Sequence, residues 1–277
     1  MYRLAFVSFH GCPVARLGQK DSGGMNVYVL QIARDLAAQG NLVDVYTRYH
    51  DPSDPRVIDL GNGARVIHIE AGPHQSDKET LYGYIPEFIR NLENYCSTEH
   101  LSYDLIHSHY WLSGSVGMHL GQSWNTPHVT TFHTLAKAKL RARVGELESN
   151  LRVSEEQKIV SEANSIIVST EQEKQDLVQL YEASKEKIEV VSPGVDTDQF
   201  HPKDKIEARK SLGFTDDKVV LYVGRIEPLK GLDILITAFS ELDDISDVKL
   251  VIVGGNLDAP DEELYKKLLN LKFSIVF

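Results

Sequence analysis

Cysteine is scarce in this chain: Cys12 and Cys96 are the only two in 277 residues. Two thiols cannot build a disulfide framework, and a reducing, cytoplasmic setting is the expectation. Long apolar runs are also lacking; none approaches the roughly 18 residues that a helical membrane span needs. Met1-Tyr2-Arg3 leads straight into an apolar run with no small-residue cleavage site, so no signal peptide is expected. Basic residues are in deficit, 29 against 40 acidic ones, for a net charge of -11. Such a balance disfavours nucleic acid and anionic lipid as partners. One stretch runs against it, Lys137, Lys139, Arg141 and Arg143, which reads as a solvated face or mobile loop rather than a membrane anchor, with drawing anionic ligands towards the cleft the weaker alternative.

What is present is an ordinary globular composition, 42% hydrophobic and 25% charged, with length enough for two domains. Short β-rich runs alternate with helix-period segments, the pattern of βα units around a parallel sheet. Strands are predicted at Leu4 to Phe9, Leu42 to Thr47, Ala64 to Ile69, Leu105 to His107, His128 to Thr131, Ser165 to Ser169 and Ile188 to Val191. Helices are predicted at Gly24 to Ala38, Leu81 to Glu99, Glu155 to Glu162 and Glu171 to Tyr181. The fold class is α/β, with two doubly wound, Rossmann-like domains at 1–195 and 206–277 and a connector at Val195 to Lys205. The second domain offers strands at Lys218 to Val223, Val248 to Val253 and Phe273 to Phe277, with helices near Leu232 to Leu242 and Asp261 to Leu271. A doubly wound domain normally needs five or six strands, so the expectation is a chain truncated inside its second domain.

The chemistry gathers at strand ends. Asp21-Ser22-Gly23-Gly24-Met25-Asn26 opens the first helix, where free amides and the dipole end favour an anion. A glycine pair alone equally fits a tight turn without a ligand. His107 and His109, in His-Ser-His-Tyr-Trp-Leu-Ser-Gly, have a spacing that could serve a metal on a strand face. No nearby carboxylate or cysteine completes a site, so packing or substrate contact is favoured and no metal is expected. Trp111 reads as core. Gly224 to Gly231, Gly-Arg-Ile-Glu-Pro-Leu-Lys-Gly, follows a strand and opens a helix.

The stretch Ser8 to Val29, SFHGCPVARLGQKDSGGMNVYV, resembles the opening of family-4 retaining glycosyltransferases of the GT-B fold. Its Gly-Gly-Met-Asn-Val-Tyr-Val segment is most similar to the branch acting on D-inositol 3-phosphate, and sucrose-phosphate synthases share the Asp-x-Gly-Gly loop. The resemblance runs through most of the chain. It implies a catalytic-site histidine at His133, in Thr-Phe-His-Thr-Leu-Ala-Lys. It implies donor contacts at Gly23, Gly24, Arg225 and Lys230, and acceptor contacts at Asn26, Lys78, Tyr110, Thr134 and Arg152. Lys78 equally reads as an exposed surface lysine, and the alignment around Arg152 is ambiguous by one residue. The family's Glu-x7-Glu motif, whose carboxylates bind the donor, has no counterpart in Val251 to Phe277. Glu262 and Glu263 read as helix-start charges.

The resemblance therefore implies transfer from a nucleotide sugar, with UDP expected, to a small phosphorylated acceptor. Anomeric configuration would be retained without a protein nucleophile. Arg225, Lys230 and the loop amides would neutralise the diphosphate, and no cofactor is expected. The alternatives are a glycan or lipid-linked acceptor, an inactive sugar- or phosphate-binding remnant, and a nucleotide-sugar epimerase. No stable membrane insertion is expected, and a homodimer remains open.

Overall fold

In a computed structural model the described residues are 1–15, 23–74, 76, 80–142, 148–214, 216, 218–224, 226, 230–241 and 248–254. They divide by contacts into two compact units, the first running to Gly194 and the second starting at Val195.

The first unit opens with β1 (Arg3–Val7), α1 (Gly24–Ala38), β2 (Leu42–Arg48), β3 (Val57–Gly61) and β4 (Ala64–Ile69). After a 3-10 turn over Leu81–Tyr84 come α2 (Ile85–Thr98), β5 (Leu105–His109), α3 (Trp111–Trp124) and β6 (His128–Thr131). Then follow α4 (Ala136–Ala142), α5 (Asn150–Glu162), β7 (Ser165–Val168), α6 (Glu171–Tyr181) and β8 (Ile188–Val190). The strands form one sheet in the order β3-β4-β2-β1-β5-β6-β7-β8. Every pairing is parallel except that of β3, which returns antiparallel along β4.

The pleat sends alternate residues of β1 to opposite faces, and both faces are buried. Leu4 and Phe6 pack with Val43, Val45 and Val66 against Val29, Ala33 and Ala37 of α1. Ala5 and Val7 join the other face, where Phe88 and Leu92 of α2, Leu112 and Val116 of α3, Ile159 of α5 and Leu177 of α6 pack. A charge sits inside this sheet: Asp44 on β2 accepts Arg65 Nε at 2.5 Å from its register partner on β4, and accepts Tyr103 Oη at 2.6 Å.

Several elements depart from expectation. No helix is predicted over α3, where Ser113, Gly114, Ser115, Gly117 and Gly121 are weak helix formers. Tertiary packing reverses that preference: a Cβ on Gly114 would lie 2.7 Å from Ile159 Cδ1, and one on Gly117 would lie 2.4 Å from His128 Nε2. The glycines are what let α3 lie flat on its neighbours. β3 was missed because an edge strand alternating exposed and half-buried residues carries little hydrophobic signal. The helix α5 starts at Asn150, five residues before the expected Glu155, where the Ser149 hydroxyl caps it by accepting the Arg152 N–H at 3.1 Å.

The second unit carries α7 (Lys205–Ser211), β9 (Lys218–Val223), α8 (Leu232–Ser240) and β10 (Val248–Val253). β9 and β10 pair in parallel, and Leu232, Ile236 and Phe239 pack on Leu250 and Ile252. The helix α7 begins at the last residue of the expected connector, with the Asp204 carboxylate accepting the N–H groups of Ile206 and Glu207. The helix and strand expected at Asp261 to Leu271 and Phe273 to Phe277 lie outside the described residues. Among the described residues, no helix is long and apolar enough to cross a membrane.

Candidate active site

The strand order reverses between β1 and β5, and ligands of doubly wound sheets bind beyond the carboxyl ends of strands at such a reversal. The chain leaving β1 and the start of α1 flank this point on one side. Tyr110, at the start of α3, flanks it on the other, and His133 and Thr134 follow β6 beside it.

Gly23 is the N-cap of α1 in an extended conformation and has no side chain with which to cap. Asn26 supplies the function instead. Its Oδ1 accepts the Gly23 N–H at 3.1 Å, and its Nδ2 donates to the Cys12 carbonyl at 2.7 Å. Only 2% of Asn26 is exposed, so this amide braces the loop from within. The first turn of α1 carries no acidic residue, leaving its positive dipole end without a carboxylate from the helix itself. A Cβ on Gly24 would meet nothing within 4 Å, and the residue has no positive φ. Neither packing nor backbone among the described residues demands glycine there.

Tyr110 has φ 77° and ψ 158°, a region that belongs almost wholly to glycine. Two backbone bonds hold it: its N–H donates to Thr131 O at 2.8 Å, and its carbonyl accepts the Gly114 N–H at 2.8 Å. The ring centroid lies 4.6 Å from that of His10, with the Arg152 guanidinium 4.9 Å away. Burial pushes the Tyr110 phenol above its ordinary range, keeping it a neutral donor.

His133 is a second non-glycine residue with positive φ, 59°. Its Nε2 lies 3.2 Å from His109 Nδ1, and the Tyr28 ring meets it edge-on with centroids 5.2 Å apart. His107 Nε2 bonds Thr131 Oγ1 at 2.9 Å. Burial pulls His133 down to about 4. Burial, with repulsion from neighbouring histidines, pulls His107 to about 3 and His109 well below its ordinary value. These imidazoles are therefore neutral near pH 7 and act through hydrogen bonds, not charge.

Thr134 is exposed, while Arg152 is buried behind it. Arg152 Nη2 donates to both Thr134 O and Thr134 Oγ1 at 3.0 Å. Its Nε donates to Glu156 Oε1 at 2.7 Å and its Nη1 to Glu148 Oε2 at 2.9 Å. Glu156, fully buried, also accepts the Ala136 N–H and the Tyr181 hydroxyl. The guanidinium is thus largely taken up by two carboxylates and a threonine, and it orients Thr134.

In the second unit Lys230 is exposed and precedes Gly231, which caps α8 at φ 68°. The Gly224 N–H donates to Val253 O at 3.0 Å, and a Cβ on Gly254 would lie 1.9 Å from Gly224 O. The ends of β9 and β10 are therefore in backbone contact. Gly23, Gly24, Asn26, Tyr110, His133, Thr134 and Arg152 gather at one edge of the first sheet. Lys230 belongs to the other unit, and Lys78 and Arg225 lie outside the described residues.

Sequence reasoning missed Tyr28, His10, Glu148 and Glu156. Tyr28 was within reach, four residues after Gly24 and so on the same helix face, and both glutamates stand four residues from Arg152. Nothing in the sequence pointed to His10.

Residues 22–199 match the family described as Glycosyltransferase Family 4, and residues 204–275 match Glycosyl transferases group 1. The chain is 39% identical over 263 residues to a D-inositol 3-phosphate glycosyltransferase of Corynebacterium diphtheriae, covering 91% of this chain and 62% of the relative. It is 42% identical over 269 residues to one from Mycobacterium sp. strain KMS, covering 94% of this chain and 60% of that protein. The chain thus spans less than two thirds of these relatives' length. Among solved structures it resembles sucrose-phosphate synthase from Thermosynechococcus elongatus at a TM-score of 0.88 and 31% identity, covering all of this chain and 70% of that one. An Anabaena protein solved with UDP and glucose shares the fold at a TM-score of 0.70 and 19% identity, covering 100% of this chain and 69% of its own. The fold is GT-B: one full Rossmann-like sheet and, among the described residues, a small second one.

Proposed function

The chain belongs to glycosyltransferase family 4, and from that premise we propose that the protein moves a sugar from a nucleotide sugar, UDP-linked, to a small phosphorylated acceptor. Both curated relatives described above are D-inositol 3-phosphate glycosyltransferases, which favours inositol phosphate or a sugar phosphate as the acceptor.

One observation carries the reading: Tyr110 and His133 both hold backbone conformations costly to a side-chain-bearing residue, and both flank the reversal point of the sheet. A third neighbour, Gly24, is a glycine that the fold does not require. Retention at the anomeric carbon proceeds by front-face attack. The acceptor oxygen bonds to that carbon as the carbon–oxygen bond to the diphosphate breaks, and the acceptor proton passes to a phosphate oxygen of the leaving group. His133, neutral, bonds a sugar hydroxyl. The Gly23-Gly24 amides, Arg225 and Lys230 stabilise the growing negative charge. On the acceptor side Asn26 holds the loop, Tyr110 and Thr134 contact the acceptor, Arg152 fixes Thr134, and Lys78 binds the phosphate.

The test is sugar transfer by the full-length protein from UDP-sugars to phosphorylated and dephosphorylated acceptors. Lys78→Ala is expected to raise KM for the phosphorylated acceptor about 10- to 100-fold, the equivalent of one charge-assisted hydrogen bond, and to leave the dephosphorylated one unchanged. An unchanged acceptor requirement would sink the phosphate assignment.

A further inference from the structure

Away from the site just described, four side chains from three chain segments converge in the first unit. Cys12 follows β1, His50 and Asp54 follow β2, and His68 lies within β4. One ligand atom from each of Cys12, His50 and His68 falls within 4.8 Å of the others. Cys12 Sγ is 3.4 Å from His68 Nε2, Asp54 Oδ2 is 3.7 Å from that same nitrogen, and Asp54 Oδ2 is 3.3 Å from His50 Nδ1. Around zinc, sulfur at about 2.3 Å and nitrogen or oxygen at about 2.0–2.2 Å place tetrahedral neighbours roughly 3.3–3.6 Å apart. The three separations are close to three of the six edges of that tetrahedron: Cys12, His50 and His68 are the mutually close set, and Asp54 stands beside the two histidines.

Two further facts point to a cation. His68 Nδ1 lies 2.8 Å from the Pro55 carbonyl. A carbonyl can only accept, so the proton is on Nδ1 and the Nε2 lone pair is directed at the cluster, the usual arrangement of a ligating histidine. His50 Nδ1 and Asp54 Oδ2, although adjacent, are both buried with no hydrogen-bond partner. A metal-free cluster would explain Cys12 with His68 but would leave those two atoms with an ion-pair contact alone and no directed hydrogen bond. Buried polar atoms without partners are rare and costly.

We propose that Cys12, His50, Asp54 and His68 form a structural site for a divalent transition metal, with zinc the ion that fits a ligand set of one sulfur, two imidazoles and one carboxylate. A thiolate with two imidazoles disfavours magnesium and calcium, which take oxygen ligands. Four protein ligands close the coordination sphere, so the role is folding and not chemistry on a substrate. The expectation of no metal rested on the phosphates being neutralised by basic side chains, and it weighed only His107 and His109. The consequence reaches the active site through one bond, because the Cys12 carbonyl accepts Asn26 Nδ2. The metal clips the chain leaving β1 to the ends of β2 and β4, and so holds the loop that Asn26 braces.

Metal analysis of the purified, tag-free chain prepared without chelator is expected to find about one zinc per chain. Cobalt substituted for zinc is expected to show thiolate-to-metal charge transfer and the strong visible bands of a tetrahedral ion. Cys12→Ser and His50→Ala should each lose the metal, and Cys12→Ser the charge-transfer band. If Cys12→Ser fails to fold, His50→Ala decides the matter, since His50 sits in a loop and is partly exposed. The proposal is overturned if the chain neither carries zinc nor binds it when zinc is added in equimolar amount. It is equally overturned if folded His50→Ala retains the metal with unchanged affinity.

Discussion

Acidification from about pH 7.5 to about pH 5 probes the histidines beneath the active-site edge. His107 and His128 are buried, and burial holds them near 3 and 4 respectively; His133, partly exposed, is held at about 4. In the unfolded chain each titrates near 6.5. A folded value below the unfolded one means that the fold prefers the neutral ring. The contribution is therefore complete above about pH 6.5 and is lost as pH falls below it towards the folded value. At about pH 5 the unfolded rings are almost fully protonated while the folded ones are not, a difference of about 2 kcal/mol per ring. Discounting His133 for its exposure, the three together remove about 4–6 kcal/mol. That is a large share of the 5–15 kcal/mol typical of a folded domain. The assay is urea unfolding followed by far-ultraviolet circular dichroism across this range, in parallel with His107→Gln. Replacing one ring should flatten the pH dependence by about one bound proton, roughly 1.4 kcal/mol per pH unit. A stability that stays level between pH 7 and 5, or a slope unaltered in His107→Gln, would refute the reasoning.

Asn26→Ala removes one buried and one part-buried hydrogen bond, leaving the Gly23 N–H unmatched and the Cys12 carbonyl with the Ala15 N–H alone. The expected loss is about 2–4 kcal/mol, read as a fall in the unfolding midpoint, and a loss under about 0.5 kcal/mol would show that the brace is not made in solution. Gly24→Val should leave stability within about 1 kcal/mol, because the added Cβ meets nothing within 4 Å. The same substitution should weaken UDP-sugar binding at least about tenfold by calorimetry, and full affinity would remove the phosphate cradle from the account.

Much of the frame was legible because its signals are local. Gly24–Ala38, with its apolar stripe and Gly40 stop, and the run Ala64–Ile69 needed only periodicity, and the structure shows both with those bounds. What periodicity does not carry is the demand one element makes on another. The glycines that speak against a helix over Trp111–Trp124 are the residues that let it approach Ile159 and His128. The site was legible as a set of strand ends but not as a set of bonds. That Asn26 faces inward depends on how the loop after β1 folds back on α1, and that Cys12 meets His50, Asp54 and His68 depends on which strands are neighbours. β1, β2 and β4 are adjacent only once the sheet is ordered.

The conformation of Tyr110 has a consequence for how this protein tolerates change. A library at position 110 sorted only for solubility and expression would be drawn towards glycine, which accepts φ 77° without strain, offset by the loss of ring packing. If Tyr110 makes the proposed acceptor contact, a library sorted for turnover would keep an aromatic hydroxyl there. The two selections pull one codon in different directions. A sequence optimised by the first alone would then lose the residue that the proposed contact needs.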